Sequence, residues 1–286
     1  MGLRINNNIA AFNAYRNLSV TDGQMSKSLE KLSSGYRINR AADDAAGLAI
    51  SEGLRSQIGG LKVAVRNAQD GISVVQTAEG ALNESQAILQ RMRDLAVQAA
   101  NGGSQDTTAQ AAADTEFQQL NKELDRIAGT TTFNGNGLLN GSFNGAFQID
   151  SSTATGSVIQ VDITSSGVLS GLTITGLDSA GLVTGTADLT TTANAVSAIG
   201  TLDTALKDIS TVRAKLGAYQ NRFEHTINNL NVAVENLSAS ESRIRDVDMA
   251  SEMVNFTKSQ ILTQAGTAML AQANQAPQSV LRLLQQ

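Results

Sequence analysis

Apolar residues recur at steps of three and four along most of this chain, the spacing that lines one face of an α-helix. From Ile199 the ladder runs Leu202, Leu206, Ile209, Arg213, Leu216, Gln220, Phe223, Ile227, Leu230, Val234, Leu237, Glu241, Ile244 and Asp248. Eleven of these fifteen positions are apolar, a heptad-like seam long enough to require a partner helix. Fifty helical residues extend for roughly 75 Å, too far for a compact globule, so 195–245 reads as part of a rod. A second ladder, Leu61, Val65, Ala68, Ile72, Val75, Leu82 and Leu89, predicts a helix over 58–98 that stops at Asn101-Gly102-Gly103. A third helix is expected over 106–128, with Phe117, Leu120, Leu124 and Ile127 on one face.

Both chain ends carry stripes as well. The first, over 3–34, holds Leu3, Ile5, Ile9, Phe12, Tyr15, Leu18, Met25, Leu29 and Leu32. The second, over 249–286, holds Met253, Phe256, Ile261, Leu262, Met269, Leu270, Val280, Leu283 and Leu284. Between the helical arms the period changes. Asn134-Gly135, Asn136-Gly137, Asn140-Gly141 and Asn144-Gly145 are hairpin-type turn signals. Val158–Ile163 and Leu172–Thr175 read as short strands. The fold class expected is mainly α: a long antiparallel helical bundle or coiled-coil rod formed by both chain ends. A small β-rich region at 133–194 would cap the far end, exposed to solvent.

Composition sharpens this picture in a few places. A single proline, Pro277, leaves almost the whole chain free to be helical. Aromatics make up 3 % of residues and Trp is absent, which suits many thin contacts between close helices better than a thick core. The net charge of −5 offers no basic surface for a phosphate backbone, so no nucleic-acid partner is expected. With no cysteine, disulfides and thiolate metal sites are excluded. The start of the chain has no signal-peptide pattern and no run approaches 18 apolar residues, so no membrane span is expected. Taken alone, these features describe a cytoplasmic protein.

No constellation supports catalysis. Asp43-Asp44 has the residue type of an acid–base pair, but neighbouring helical positions diverge by about 100°, and a turn or contact role fits better. His225 is the lone histidine and has no companion ligands for a metal. Gly135-Asn136-Gly137 lacks the strand-before, helix-after setting and the Gly-Lys-Ser/Thr of a phosphate loop. No catalytic, cofactor-binding or metal residue is expected, and the chain reads as a non-enzyme. The terminal segments point elsewhere. Their stripes are long, their charges few, and a lone helix pair buries only part of such a surface, so they read as interaction surfaces. Contacts between different faces of successive copies build open helical filaments when the rotation does not close.

Several motifs then carry a family resemblance. The segment from Leu32-Ser33-Ser34-Gly35-Tyr36-Arg37-Ile38-Asn39-Arg40 through Ala41-Ala42-Asp43-Asp44-Ala45-Ala46-Gly47-Leu48-Ala49-Ile50 resembles the N-terminal motif of bacterial flagellins. So do Ile5–Ala11, Leu89–Gln98 and Thr132-Phe133-Asn134-Gly135 with Leu138-Leu139. Glu241–Ala250 and Gln272–Leu281 are similar to the family's C-terminal signature. The resemblance covers about 1–140 and 195–286, in order, and leaves no room for large central insertions.

This resemblance implies a protomer that self-assembles into the flagellar filament for motility, located outside the cell after export, unfolded, through the flagellar type III apparatus without a cleaved signal. Residues 1–42 and 246–286 would be inner, pore-lining coiled-coil helices. Residues 43–245 would be the outer rod domain. Filament contacts are expected at Ile9, Phe12, Leu18, Leu29, Leu32, Met253, Phe256, Ile261, Leu262, Met269, Leu270, Leu283 and Leu284, and at Arg91 and Leu95. Arg91, Leu95 and Glu123 match the family's contact with a host flagellin-sensing Toll-like receptor. The other implied partners are further copies of the chain, an export chaperone, a filament cap protein and a hook-associated junction protein. Two alternatives stay open: a hook–filament junction protein, and a soluble helical secretion adaptor.

Overall fold

A computed structural model describes residues 8–103, 106–141, 143–152, 156–163 and 188–284, with side chains to residue 275. The described chain is mainly α. Its helices are α1 (Ile9–Ser34), α2 (Ala45–Ala99), α3 (Thr107–Thr130), α4 (Thr192–Arg245) and α5 (Met249–Leu284), and its short strands are β1 (Thr132–Phe133), β2 (Asn136–Gly137), β3 (Asn144–Gln148) and β4 (Val158–Asp162). Each helix opens on a residue whose side chain accepts a hydrogen bond from a free backbone N–H of the first turn. Asn8 takes Ala11 at 3.1 Å, Asp44 takes Gly47 at 2.9 Å and Asp106 takes Ala109 at 2.8 Å. Thr191 takes Asn194 at 3.2 Å and Asp248 takes Ala250 at 3.0 Å. The Asp44 cap explains why α2 starts at Ala45 rather than at 58. The apolar ladder begins only at Leu61, but the cap fixes the start sixteen residues earlier.

The chain divides into two compact units: residues Gly59–Val234, called the inner unit for its place along the chain, and Met1–Ile58 with Glu235–Gln286, which holds both chain ends. In the first, α2 and α4 run antiparallel. Gly71 lies against Phe223, Arg213 bridges to Glu79 at 3.6 Å, and Arg93 bridges to Asp203 at 2.6 Å. The two ladders face each other as expected. Ala68, Val75, Leu82 and Leu89 are buried with Leu202, Ile209, Leu216 and Phe223, and Phe117 and Leu124 of α3 complete the core. Where the α4 seam carries Arg213 instead of an apolar residue, Gln86 of α2 accepts a hydrogen bond from it and Glu79 forms an ion pair with it at 3.6 Å, so the guanidinium is partnered across the interface.

The β region departs from the expectation of an exposed cap at the far end. Asn134-Gly135 does form a two-residue hairpin turn between β1 and β2, both residues having positive φ (50° and 82°), the conformation that Asn-Gly favours. By contrast, Asn136-Gly137 and Asn144-Gly145 lie within strands. β3 and β4 pair antiparallel from Asn144↔Asp162 to Gln148↔Val158 and lie along the helices. Asn67 of α2 donates to the Gln148 carbonyl at 2.9 Å, Ser151 packs on Gly60, and the Phe147 ring meets Phe223 edge-on at 5.6 Å. Ile159 and Val161 on one face of β4, with Leu138 and Leu139 after β2, are fully buried. Alternation on a strand hides half its side chains, which a count of large apolar residues understates. The expected strand Leu172–Thr175 lies outside the described residues.

In the other unit α1 and α5 pack together, also antiparallel. Asn8 donates to the Ala273 carbonyl at 2.7 Å, Leu18 lies on Gly266, and Lys31 reaches Glu252 at 3.9 Å.

Candidate assembly surface

Helices α1 and α5 bury very little between them. Ser28 is the single fully buried residue that α1 supplies, and Ser259 is the single one among the described side chains of α5. Small hydroxyl residues at the contact let the helices approach closely but contribute little apolar area. The expected contact residues divide accordingly. Ile9, Phe12 and Leu29 on α1, and Met253, Ile261, Leu262 and Met269 on α5, are exposed, Phe12 at 69 %. Leu18, Leu32, Phe256 and Leu270 are half-buried. Leu283 and Leu284 lie outside the described side chains. Met253, Val254, Ile261 and Leu262, with Thr257 and Lys258, line a shallow apolar depression on α5. Exposed apolar surface of this extent marks a contact site.

At the closed end of the pair, two segments that the sequence analysis treated separately meet. Gly35 ends α1 in the left-handed conformation, φ 75°, its N–H bonded to the Lys31 carbonyl at 2.8 Å. The chain then pairs with the segment between α4 and α5. Arg37 N–H donates to the Arg245 carbonyl at 2.7 Å, Val247 N–H donates to the Gly35 carbonyl at 3.0 Å, and Tyr36 faces Asp246 in a single antiparallel bridge. The Arg245 guanidinium lies 4.9 Å from the centre of the Tyr36 ring and bonds Glu52 at 2.7 Å, while Arg37 reaches the Ile244 carbonyl at 2.6 Å. Ile38 is buried, and its methyl sits where a side chain on Gly47 would stand. The Asp44-Ala-Ala-Gly47 spacing thus supplies a helix cap and room for Ile38. The only hint of this pairing in the sequence was the crowding of polar and charged residues at two helix ends, which does not reveal a partner.

Asp43 has a structural task, with no acid–base partner. Its carboxylate accepts from the backbone N–H groups of Arg40 at 3.0 Å and Asn39 at 3.2 Å, and these bonds hold its pKa below the ordinary aspartate value. A carboxyl depressed in the folded state stabilises above its unfolded pKa, and this is lost as pH falls through the folded one. The Asp43 carboxyl carbon is therefore expected to titrate below about 3.9 in a carbon NMR titration. Titration at the ordinary value would count against these two backbone bonds.

Away from the helix pair, Arg91 is exposed and bridged to Glu116 at 2.7 Å, and Glu123 is bridged to Arg126, which lowers its pKa. Leu95 faces inward, 3 % exposed within the core of the inner unit. It supports the helix beneath Arg91 and shows no surface of its own. Among the described residues no group of three His, Cys, Asp or Glu side chains could hold a metal ion, and no helix is long and apolar enough to cross a membrane.

Comparison with known proteins fits these features. The model of the bacterial flagellin N-terminal helical region matches residues 5–144, and that of the C-terminal helical region matches 199–284. A flagellin of Halalkalibacterium halodurans is 53 % identical over 282 residues, covering 98 % of this chain and 99 % of the relative. A flagellin of Bacillus subtilis is 49 % identical over 308 residues, covering 99 % and 100 %. A solved structure from Vibrio parahaemolyticus, described as a flagellar hook-associated protein, aligns with a TM-score of 0.57 over 71 % of this chain and 100 % of that one. At 12 % identity that likeness is of fold alone.

Proposed function

Since the chain belongs to the bacterial flagellins and is a structural protomer of the flagellar filament, not an enzyme, we propose that the apolar faces of α1 and α5 are the contacts through which it polymerises. The observation that carries this reading is the contrast between the units. The Gly59–Val234 unit buries most large members of its seams, among them Val75, Leu82, Leu89, Leu202, Ile209, Leu216 and Phe223, whereas the described part of the terminal pair buries two serines and leaves Phe12, Leu29, Ile261 and Met269 to solvent. Copies stacked on one another would cover them. Residues 1–42 and 246–286 then form the inner core of the filament and 43–245 its outer part, with Arg91 available for contacts along the fibre.

The same reading places the assembled protein outside the cell, delivered unfolded by the flagellar export apparatus. A cysteine-free chain makes no wrong crosslinks on that route. An export chaperone would hold the apolar α5 face before assembly, a cap protein would seat each copy, and a hook-associated protein would receive the first ones. A host Toll-like receptor would meet Arg91 and Glu123 on the exposed surface, with Leu95 positioning Arg91 from beneath.

The test is seeded polymerisation. Leu29→Ala and Ile261→Ala each remove an exposed branched side chain worth about 1.5–3 kcal/mol on full burial. Each is expected to raise the critical concentration by roughly tenfold or more, with the melting temperature of the inner unit unchanged. An unaltered critical concentration in both variants would overturn the assignment.

A further inference from the structure

The strip of α1 through Tyr15 and Leu29 and the strip of α5 through Val254 and Leu262 each contain one charge among the described residues, and the charges are opposite. On α1, Tyr15, Asp22 and Leu29 are spaced by seven residues and so share a face. Tyr15 and Leu29 are exposed apolar residues, and Asp22 lies exposed between them. On α5, Val254 lies four residues before Lys258, and Ile261 and Leu262 lie three and four after it; among the described residues Lys258 is the one charge lining the apolar depression there. Neither Asp22 nor Lys258 enters an ion pair among the described residues. The neighbours that could neutralise them are engaged. Glu252, beside Lys258 in the groove between the helices, is taken by Lys31, and Arg16 is turned to Asn13.

We infer that the α1 stripe of one copy seats on the α5 stripe of another, with Asp22 of the first meeting Lys258 of the second. A lone charge in an apolar face is costly to cover unless its opposite arrives with the covering surface. Two stripes that each carry one such charge therefore fit in the alignment that brings the charges together, as a single polar position fixes register in a coiled coil. The groove beside Lys258 strengthens the match. Among the described residues, Lys27, Lys31 and Lys258 line it against the single carboxylate Glu252, so an incoming carboxylate meets a surplus of positive charge. Asp43, which also senses Lys27 and Lys31, is occupied by the backbone N–H groups of Asn39 and Arg40. The contact joins different faces of successive copies, the heterologous kind that continues into a fibre.

The inference rests on the reading of the terminal stripes as the filament contact, and the experiment separates the two. Critical concentrations are measured by seeded polymerisation of the full chain at low salt. Asp22→Lys and Lys258→Asp should each raise the value roughly tenfold by setting like charges face to face. The double swap should return it to within about twofold of the original, and the single-variant defects should shrink in 1 M NaCl. A double swap no better than either single overturns the pairing. If Leu29→Ala and Ile261→Ala still impair growth in that case, the stripe reading survives without it. The second arm uses the absence of native thiols. Filaments grown from a one-to-one mixture of Asp22→Cys and Lys258→Cys chains are oxidised and sized under denaturing conditions. A dimer containing one chain of each kind is expected. Its absence, or crosslinking within a single Asp22→Cys/Lys258→Cys chain in dilute monomer, sinks the intermolecular assignment.

Discussion

Removing residues 249–286 is expected to abolish filament growth while leaving the inner unit folded. The truncation takes away α5 with its exposed Met253, Ile261 and Met269 and leaves α1 without the helix it packs on. It takes nothing from the hydrophobic core of the Gly59–Val234 unit, whose buried members all lie between Ala68 and Phe223. Seeded growth followed by electron microscopy should show no elongation, an effect without a partial outcome. Circular dichroism should show helix lost in α1 and α5 only, with a cooperative melt retained. Elongation by the truncated chain would remove α5 from the assembly surface. Loss of the cooperative melt would show that the inner unit depends on the terminal helices.

The second large effect is expected at Phe223. Its ring is completely buried, touches the Cα face of Gly71, and meets Phe147 edge-on at 5.6 Å with planes at 87°. It therefore ties α4 to α2 and to the β3–β4 hairpin at once. Phe223→Ala should cost about 3–5 kcal/mol for the cavity and lost transfer energy. At about 2–4 °C per kcal/mol for a unit of this size, the melting temperature should fall by roughly 6–20 °C. Gly71→Ala alone should also destabilise, because its methyl would stand 2.6 Å from the Phe223 ring. In the Phe223→Ala background the same methyl has room, so the two losses should be less than additive. Additive losses would show that the contact does not couple them.

The helices were legible in the sequence because a helical stripe is local: Leu202, Ile209, Leu216 and Phe223 announce a buried face without reference to anything distant. The hairpin at Asn134-Gly135 was legible for the same reason, since its two positive φ values suit those two residues. The seating of β3–β4 was not. It depends on Gly60 leaving a shallow place for Ser151 on α2, far away in sequence, and on Asn67 of the same helix finding the Gln148 carbonyl. The pairing of Tyr36 with Asp246 was hidden by the same distance. At the assembly surface, the stripes on α1 and α5 were visible as patterns. Which members stay uncovered in the single chain became visible only once Leu18 was seen against Gly266 and Leu95 within the core. Arg91 and Leu95 are four residues apart and lie on neighbouring positions of one helix, yet one is exposed and the other enclosed. That difference is set by what packs beside α2.

The single bridge at Tyr36 and Asp246 has a mechanical consequence. It closes one end of the α1–α5 pair, and towards the other end, among the described residues, Asn8 donates to the Ala273 carbonyl. A force that draws the two helices apart from the open end loads their contacts one turn at a time. The helices then peel like an opening zip fastener and yield under weak tension. A force applied to both ends together loads every rung at once, including the Arg37–Arg245 and Gly35–Val247 backbone bonds, and meets far greater resistance. The same element is thus easily stripped in one direction and stiff in the other.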